Sequence, residues 1–169
     1  MQATVQAPPS GRPAVQVAVV MEREAQPNQW EDWRFRLVDV VPDEAAFGTE
    51  PRVLRDDGRI RRTLFPGFTL QLFRDEGEGY HLNLRTGAPV WFVMWRRDDA
   101  DPSRAWPETV SVSYNEAGRW LDAQERVDNV PLQAPLAAWL QAYTDEHYRP
   151  EPKKRRRPQS FVTPGERRS

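Results

Sequence analysis

The sequence predicts an α+β fold: a mainly antiparallel β-sheet of about six strands, a C-terminal helix packed on it, and disordered termini. Three observations carry this expectation. Apolar and polar residues alternate over several short stretches between Val15 and Tyr114. The middle stretches are joined by loops of a few residues, whereas a parallel crossover needs a dozen or more. The clearest helical stripe comes last, near the end of the chain.

Residues 1–13 are rich in Pro, Gln and Ala and contain the run Pro8-Pro9-Ser10-Gly11, so disorder is expected there. In Ala14–Glu22, Val15, Val17, Val19 and Met21 share one face while Ala18 and Val20 occupy the other, which suits a strand buried on both sides. Ala25-Gln26-Pro27-Asn28 signals a turn. Trp33, Phe35 and Leu37 alternate with Arg34, Arg36 and Val38, giving a half-buried strand with an arginine-bearing outer face that Pro42 ends. Residues 42–62 read as a long surface connection in which Val53-Leu54 and Ile60 form short edge strands.

Phe68, Leu70 and Leu72 then alternate with Thr69 and Gln71, and Gly77-Glu78-Gly79 turns the chain. Tyr80, Leu82 and Leu84 alternate with His81, Asn83 and Arg85 and are assigned to another strand. Pro89–Trp95 is continuously apolar and reads as a central strand. After a polar loop over 96–108, Val110, Val112 and Tyr114 form one more. A helix is expected next, with Asn115 as N-cap and Asp122 and Arg126 spaced i, i+4. The last helix opens on Pro135 and carries Leu136, Trp139, Leu140, Tyr143 and His147 on one stripe before Pro150 stops it. Its Trp139 face is expected on the sheet.

A chain of 169 residues fits one domain, expected over 14–149, with a basic tail over 150–169. The seven Trp, seven Phe and four Tyr supply bulky core material. With no cysteine, disulfides, thiolate metal sites and cysteine nucleophiles are excluded. The histidines, His81 and His147, fall in no metal-binding motif, and neither a phosphate loop nor a nucleophile elbow occurs. No catalytic residue, metal or cofactor is therefore assigned. The first twelve residues lack the charged start and apolar run of a signal peptide, and no stretch is apolar for the length a membrane span needs. The chain reads as cytoplasmic.

Charge divides sharply. Residues 149–169 hold eight basic and two acidic residues, so against a formal net charge of −1 the remainder is about −7. The run Lys153, Lys154, Arg155, Arg156 and Arg157 is the densest chemical signal, suited to an acidic protein surface, nucleic acid or an anionic headgroup. A second candidate is a cationic sheet face formed by Arg34, Arg36, His81 and Arg85, able to hold a small anion or a nucleotide-like ligand. The ordinary alternative for that face is the solvated side of a half-buried sheet.

Several segments carry a family resemblance. Val17–Arg23, Asn28-x-Trp30-x-x-Trp33 and Val40-Val41-Pro42 are one group. Tyr80–Leu84 followed by Pro89–Trp95 is the second, and Val112–Ala117 running through Trp120-Leu121-Asp122 to Val130-Pro131-Leu132 is the third. Together they resemble a proteobacterial family of uncharacterised proteins encoded beside molybdenum-dependent formate dehydrogenase and its maturation factors. The resemblance spans roughly residues 15–157. It implies a non-catalytic accessory role in assembly, cofactor loading or stability of that enzyme, with a dehydrogenase subunit or maturation factor as partner. Some relatives bear names tied to pterin dinucleotide synthesis, but this chain is too short for a nucleotidyltransferase and lacks its glycine-rich loop. The open alternatives are a small anionic or pterin-nucleotide binding module, and nucleic-acid binding through the tail.

Overall fold

The structure, a computed structural model, describes residues 5–6, 12–26 and 32–150. Among them the elements run β1 Val5–Gln6, β2 Ala14–Ala25, β3 Trp33–Pro42, β4 Arg52–Asp56, β5 Ile60–Gln71, α1 Gly77–Leu84, β6 Val90–Arg97, β7 Ala105–Ser111, α2 Tyr114–Asp122, β8 Arg126–Pro131 and α3 Ala134–His147. The fold is α+β with all strand pairs antiparallel, as the alternation and short loops require. The strands form two sheets. In the larger, β2 pairs with β1 and β3 along one edge and with β5 along the other, and β4 extends the sheet beyond β5. The smaller has the order β7-β6-β8. The sheets meet at both margins, β5 beside β7 and β3 beside β8.

The main core fills the space between them. Val15, Val17, Val19 and Met21 of β2 meet Trp91 and Val93 of β6 and, from α3, Leu136 and Leu140. The opposite face of β2 is buried as well: Ala18 and Val20 pack with Leu64 under Val38, Val41 and Phe47. The two-sided burial expected of this strand is therefore present. The ladder between β2 and β5 shifts register between Val17 and Val19. Pro66 and Gly67 fall in that irregularity, where a missing N–H breaks no regular pair and Gly67 takes a φ of +90°.

The helices close one end. Ser113 caps α2 by accepting the Glu116 N–H at 3.1 Å, two residues earlier than the Asn115 cap expected from sequence. Its hydroxyl also donates to Glu76, which pairs with Arg119. Asn83, buried in α1, donates to the carbonyls of Val90 and Val112, both at 2.9 Å, and accepts the Val90 N–H at 3.0 Å. One side chain thus ties the start of β6 to the end of the β7 segment. α3 lays Leu136, Leu140 and Tyr143 into the core, and Trp139 packs against it, as its stripe required.

Several expectations need correction. The strand assigned to Tyr80–Arg85 is helix α1. Gly77, Tyr80 and Asn83 are buried at threefold spacing, and Gly79 lets α1 approach so closely that a Cβ there would sit 2.0 Å from Ser113 Oγ. The glycines read as a turn are the helix's first residues. The strand expected to run through Tyr114 ends at Ser111, and Tyr114, 55 % exposed, opens α2. The loop over 96–108 shrinks to 98–104, because β6 and β7 extend into it. Residues 1–13 are not without structure throughout: Val5–Gln6 pairs with Ala14–Val15, and the Pro13 carbonyl accepts the Leu72 N–H at 3.0 Å. β8 is an additional strand, which takes Arg126 off the helix expected to pair it with Asp122, and the edge strand expected at Ile60 is the start of β5, which continues to Gln71. The turn at Ala25–Asn28 lies partly outside the described residues, although the Gln26 N–H bonds the Asp32 carbonyl at 2.8 Å.

Candidate binding crevice

At the end of the molecule away from the helices the two sheets part. β2 continues past the core, and the inward face of Val15, Val17, Val19 and Met21 ends on Arg23. The turn 98–104 and the start of β7 form the opposing wall, and β4 with the first half of β5 the flank. Between them lies a crevice of about 500 Å³. Its lining is chiefly apolar, with Met21, Phe35, Val53, Phe65 and Trp106 prominent, while Arg23, Arg61 and Arg104 supply cations. This size and mix suit a binding cleft.

Arg23 is the unusual member. One terminal nitrogen donates to the Ser103 carbonyl at 3.0 Å, and the guanidinium lies 4.3 Å from the centre of the Trp33 ring. Its Nε is buried and has no hydrogen-bond partner among the described residues. Burial and then the nearby charge of Arg61 lower its pKa from the usual arginine value. Arg61 is engaged by Asp56 at 3.0 Å and Arg104 by Asp98 at 3.7 Å. Both are exposed pairs of the kind that exchange readily with solvent and ligands. Glu22 also borders the crevice, but its carboxylate is held by Arg62 at 2.7 Å and Arg36 at 3.5 Å. The Arg62 hydrogen bond is the main cause of its depressed pKa. The arrangement can hold an apolar group and an anionic one side by side.

β4 borders this crevice as an edge. All five of its residues are exposed, with Val53 and Leu54 at 54 % and 48 %. Its β5 side is paired and its other side is the margin of the sheet.

The residues expected to form a cationic face are distributed otherwise. Arg34 and Arg36 are exposed on β3, where Arg36 reaches Glu22. His81 is on α1, half-buried, its ring 5.4 Å from that of Tyr148, and Arg85 is the exposed C-cap of the same helix. A helix cannot present His81 on the sheet face that a strand assignment requires, so the four do not form one face. None of them lines the crevice, the cavity beside Tyr143, or the small groove between β5 and β7. The basic run Lys153, Lys154, Arg155, Arg156 and Arg157 lies outside the described residues. Among the described residues no group of three or more His, Cys, Asp or Glu could hold a metal ion, and no helix is long and apolar enough to cross a membrane.

Arg23, Arg61 and Arg104 were not singled out from the sequence. A readable sign existed for Arg23: it takes the next inward position of a strand face that is otherwise apolar.

Residues 16–157 match a family described as Protein of unknown function (DUF3305). The chain belongs to that family. No curated protein and no solved structure matches it. The matched region contains all of the crevice and its β4 flank, as well as the basic run at 153–157.

Proposed function

We propose that the protein is a non-catalytic accessory factor of a molybdenum-dependent formate dehydrogenase. In this reading it assists assembly, cofactor loading or stability of the enzyme by holding a segment of a dehydrogenase subunit or maturation factor in the crevice. The crevice carries the reading: an apolar lining with a buried, incompletely bonded guanidinium at one side and a strand edge at its flank. Guanidiniums bind carboxylates and phosphates but do not exchange protons near neutral pH, so they suit recognition rather than acid–base chemistry. The sequence resemblance supplies the identity of the enzyme, and the basic run at 153–157 would add an electrostatic attachment. A smaller occupant, such as an anionic pterin nucleotide, is the second reading. The volume of about 500 Å³ favours it, since small-molecule pockets span ~300–1,000 Å³.

The test is a deletion strain assayed for formate oxidation and for molybdenum content of the dehydrogenase, complemented with the wild-type gene or with Arg23→Met. Loss of activity that wild type restores and Arg23→Met does not is the expected result. Normal formate oxidation in the deletion strain, with no dehydrogenase subunit co-purifying with the tagged protein, would sink the assignment. A free pterin nucleotide that binds and is lost in Arg23→Met would favour the second reading.

A further inference from the structure

We propose that the crevice receives an extended acidic segment of a partner protein, which adds to the free edge of β4 as a further strand, sets an apolar side chain into the crevice and brings a carboxylate to Arg23. This rests on reading the crevice as a partner site and names the chemistry of what enters it.

Three independent features converge. The first is the edge. An outer strand leaves alternate N–H and C=O groups unpaired, and another chain can complete them. β4 is such a strand, exposed over its whole length, yet it keeps two large apolar side chains in water. The second is continuity. Val53 belongs both to this edge and to the crevice lining, so a strand laid along β4 has a pocket within reach of its side chains. Strand addition gains affinity from the main chain and specificity from such pockets.

The third is charge. Asp56 and Asp57 are directed to Arg61 and Arg55, at 3.0 and 2.8 Å, and Asp98 to Arg104. Asp56 and Asp101 act on Arg23 only at a distance, so it has no bonded carboxylate among the described residues, on a site flanked by Arg61 and Arg104. Arg52 adds a further exposed cation on β4 itself. An acidic segment meets the cations Arg23, Arg61, Arg104 and Arg52, which outnumber the carboxylates of Glu22 and Asp56 along the same path, whereas a basic one is repelled by that excess.

The experiment uses the full-length chain labelled with ¹⁵N and three synthetic probes. The first is the capped hexapeptide Glu-Val-Glu-Phe-Glu-Val. The second replaces each glutamate by lysine. The third keeps the acidic sequence but is N-methylated at alternate residues, which removes its donors on one edge. The acidic peptide should move the amide signals of residues 52–56 and the indole signal of Trp106. The lysine and N-methylated probes should bind at least tenfold more weakly. Arg23→Met should weaken the acidic peptide about tenfold. Arg52→Glu, on a fully exposed strand and so safe for folding, should shift preference toward the lysine probe.

The proposal is overturned if the acidic peptide leaves these signals unmoved at millimolar concentration, if the acidic and lysine probes bind alike, or if N-methylation has no effect. Self-association of the protein through residues 52–56 overturns it in favour of a second copy. Peptide binding with normal formate oxidation in the deletion strain would remove the dehydrogenase assignment and keep the strand site. Lost oxidation without peptide binding would do the reverse.

Discussion

At the helical end, Asn83 makes three hydrogen bonds, Ser113 is bonded to Glu76 and to the Glu116 amide, and the buried Tyr80 hydroxyl accepts the Phe73 N–H at 3.0 Å. At the crevice end, Arg23 keeps a buried Nε without a partner, and Val53 and Leu54 stand in solvent. Buried polar groups are stabilising only when bonded, and large apolar groups only when covered. The helical end satisfies the first condition, though Tyr114 and Leu121 of α2 are also exposed, and the crevice end satisfies neither. The difference separates the part of the molecule that holds the fold from the part free to engage something else.

The sharpest way to break this comparison is Gly79→Ala. Its new Cβ would lie 2.0 Å from Ser113 Oγ and 3.1 Å from the Asn115 nitrogen, so the Ser113 hydroxyl must leave its cap and α1 must move off the start of α2. We expect a loss of roughly 3 kcal/mol or more in urea unfolding. A loss below about 1 kcal/mol would show that the helical end is looser than its contacts suggest. Asn83→Ala comes next, since it strands the Val90 amide and two carbonyls; the expected loss is about 2–3 kcal/mol by the same measurement.

Glu22 tests the boundary between the two ends. Its folded pKa is depressed, chiefly by Arg62, so its contribution is present above the unfolded glutamate value of about 4.3 and is lost as pH falls through the lower folded value. Glu22→Gln should destabilise by about 1–2 kcal/mol near pH 7, and the gap from wild type should narrow as pH is lowered below about 4.3. A gap that is constant with pH would assign the effect to packing.

The smallest effect is expected where the comparison predicts least. Leu54→Ser should change stability by less than about 0.5 kcal/mol, and Arg23→Met, which loses the Ser103 bond and the Trp33 contact together with an unbonded buried Nε, by no more than about 1 kcal/mol. A large loss from either would place the crevice end within the stabilising framework.

The same contrast governs what was legible in the sequence. β2, β3, β6 and α3 were readable because each carries a long pattern with one period, from Val15 to Met21 or from Leu136 to His147. α1 was misread because Tyr80, Leu82 and Leu84 satisfy a strand's alternation over a segment too short to expose the helical period. What decides for helix is the close approach of Gly79 to Ser113, a tertiary contact. β8 has only Val127 and Val130 as apolar markers, and the first half of β5 is masked by Arg61 and Arg62. The crevice was less legible still. It draws Arg23, Phe65 and Trp106 from distant parts of the chain, and no spacing along the sequence records that they meet. The cationic face expected from Arg34, Arg36, His81 and Arg85 failed with the strand assignment on which it depended.

Gln133 stands at the N-cap of α3, yet its side chain caps nothing there. It accepts from Trp91 Nε1 at 2.8 Å and donates to the Val40 carbonyl at 2.5 Å. One amide therefore joins the smaller sheet, the larger sheet and the entry to the last helix, and Trp91 is the largest fully buried side chain described. If α3 frays at its first turn, it frees a buried indole; if the sheets separate, they release the helix start. Detaching α3 over intact sheets therefore costs the two Gln133 bonds as well as the helix's own packing, which couples the three parts.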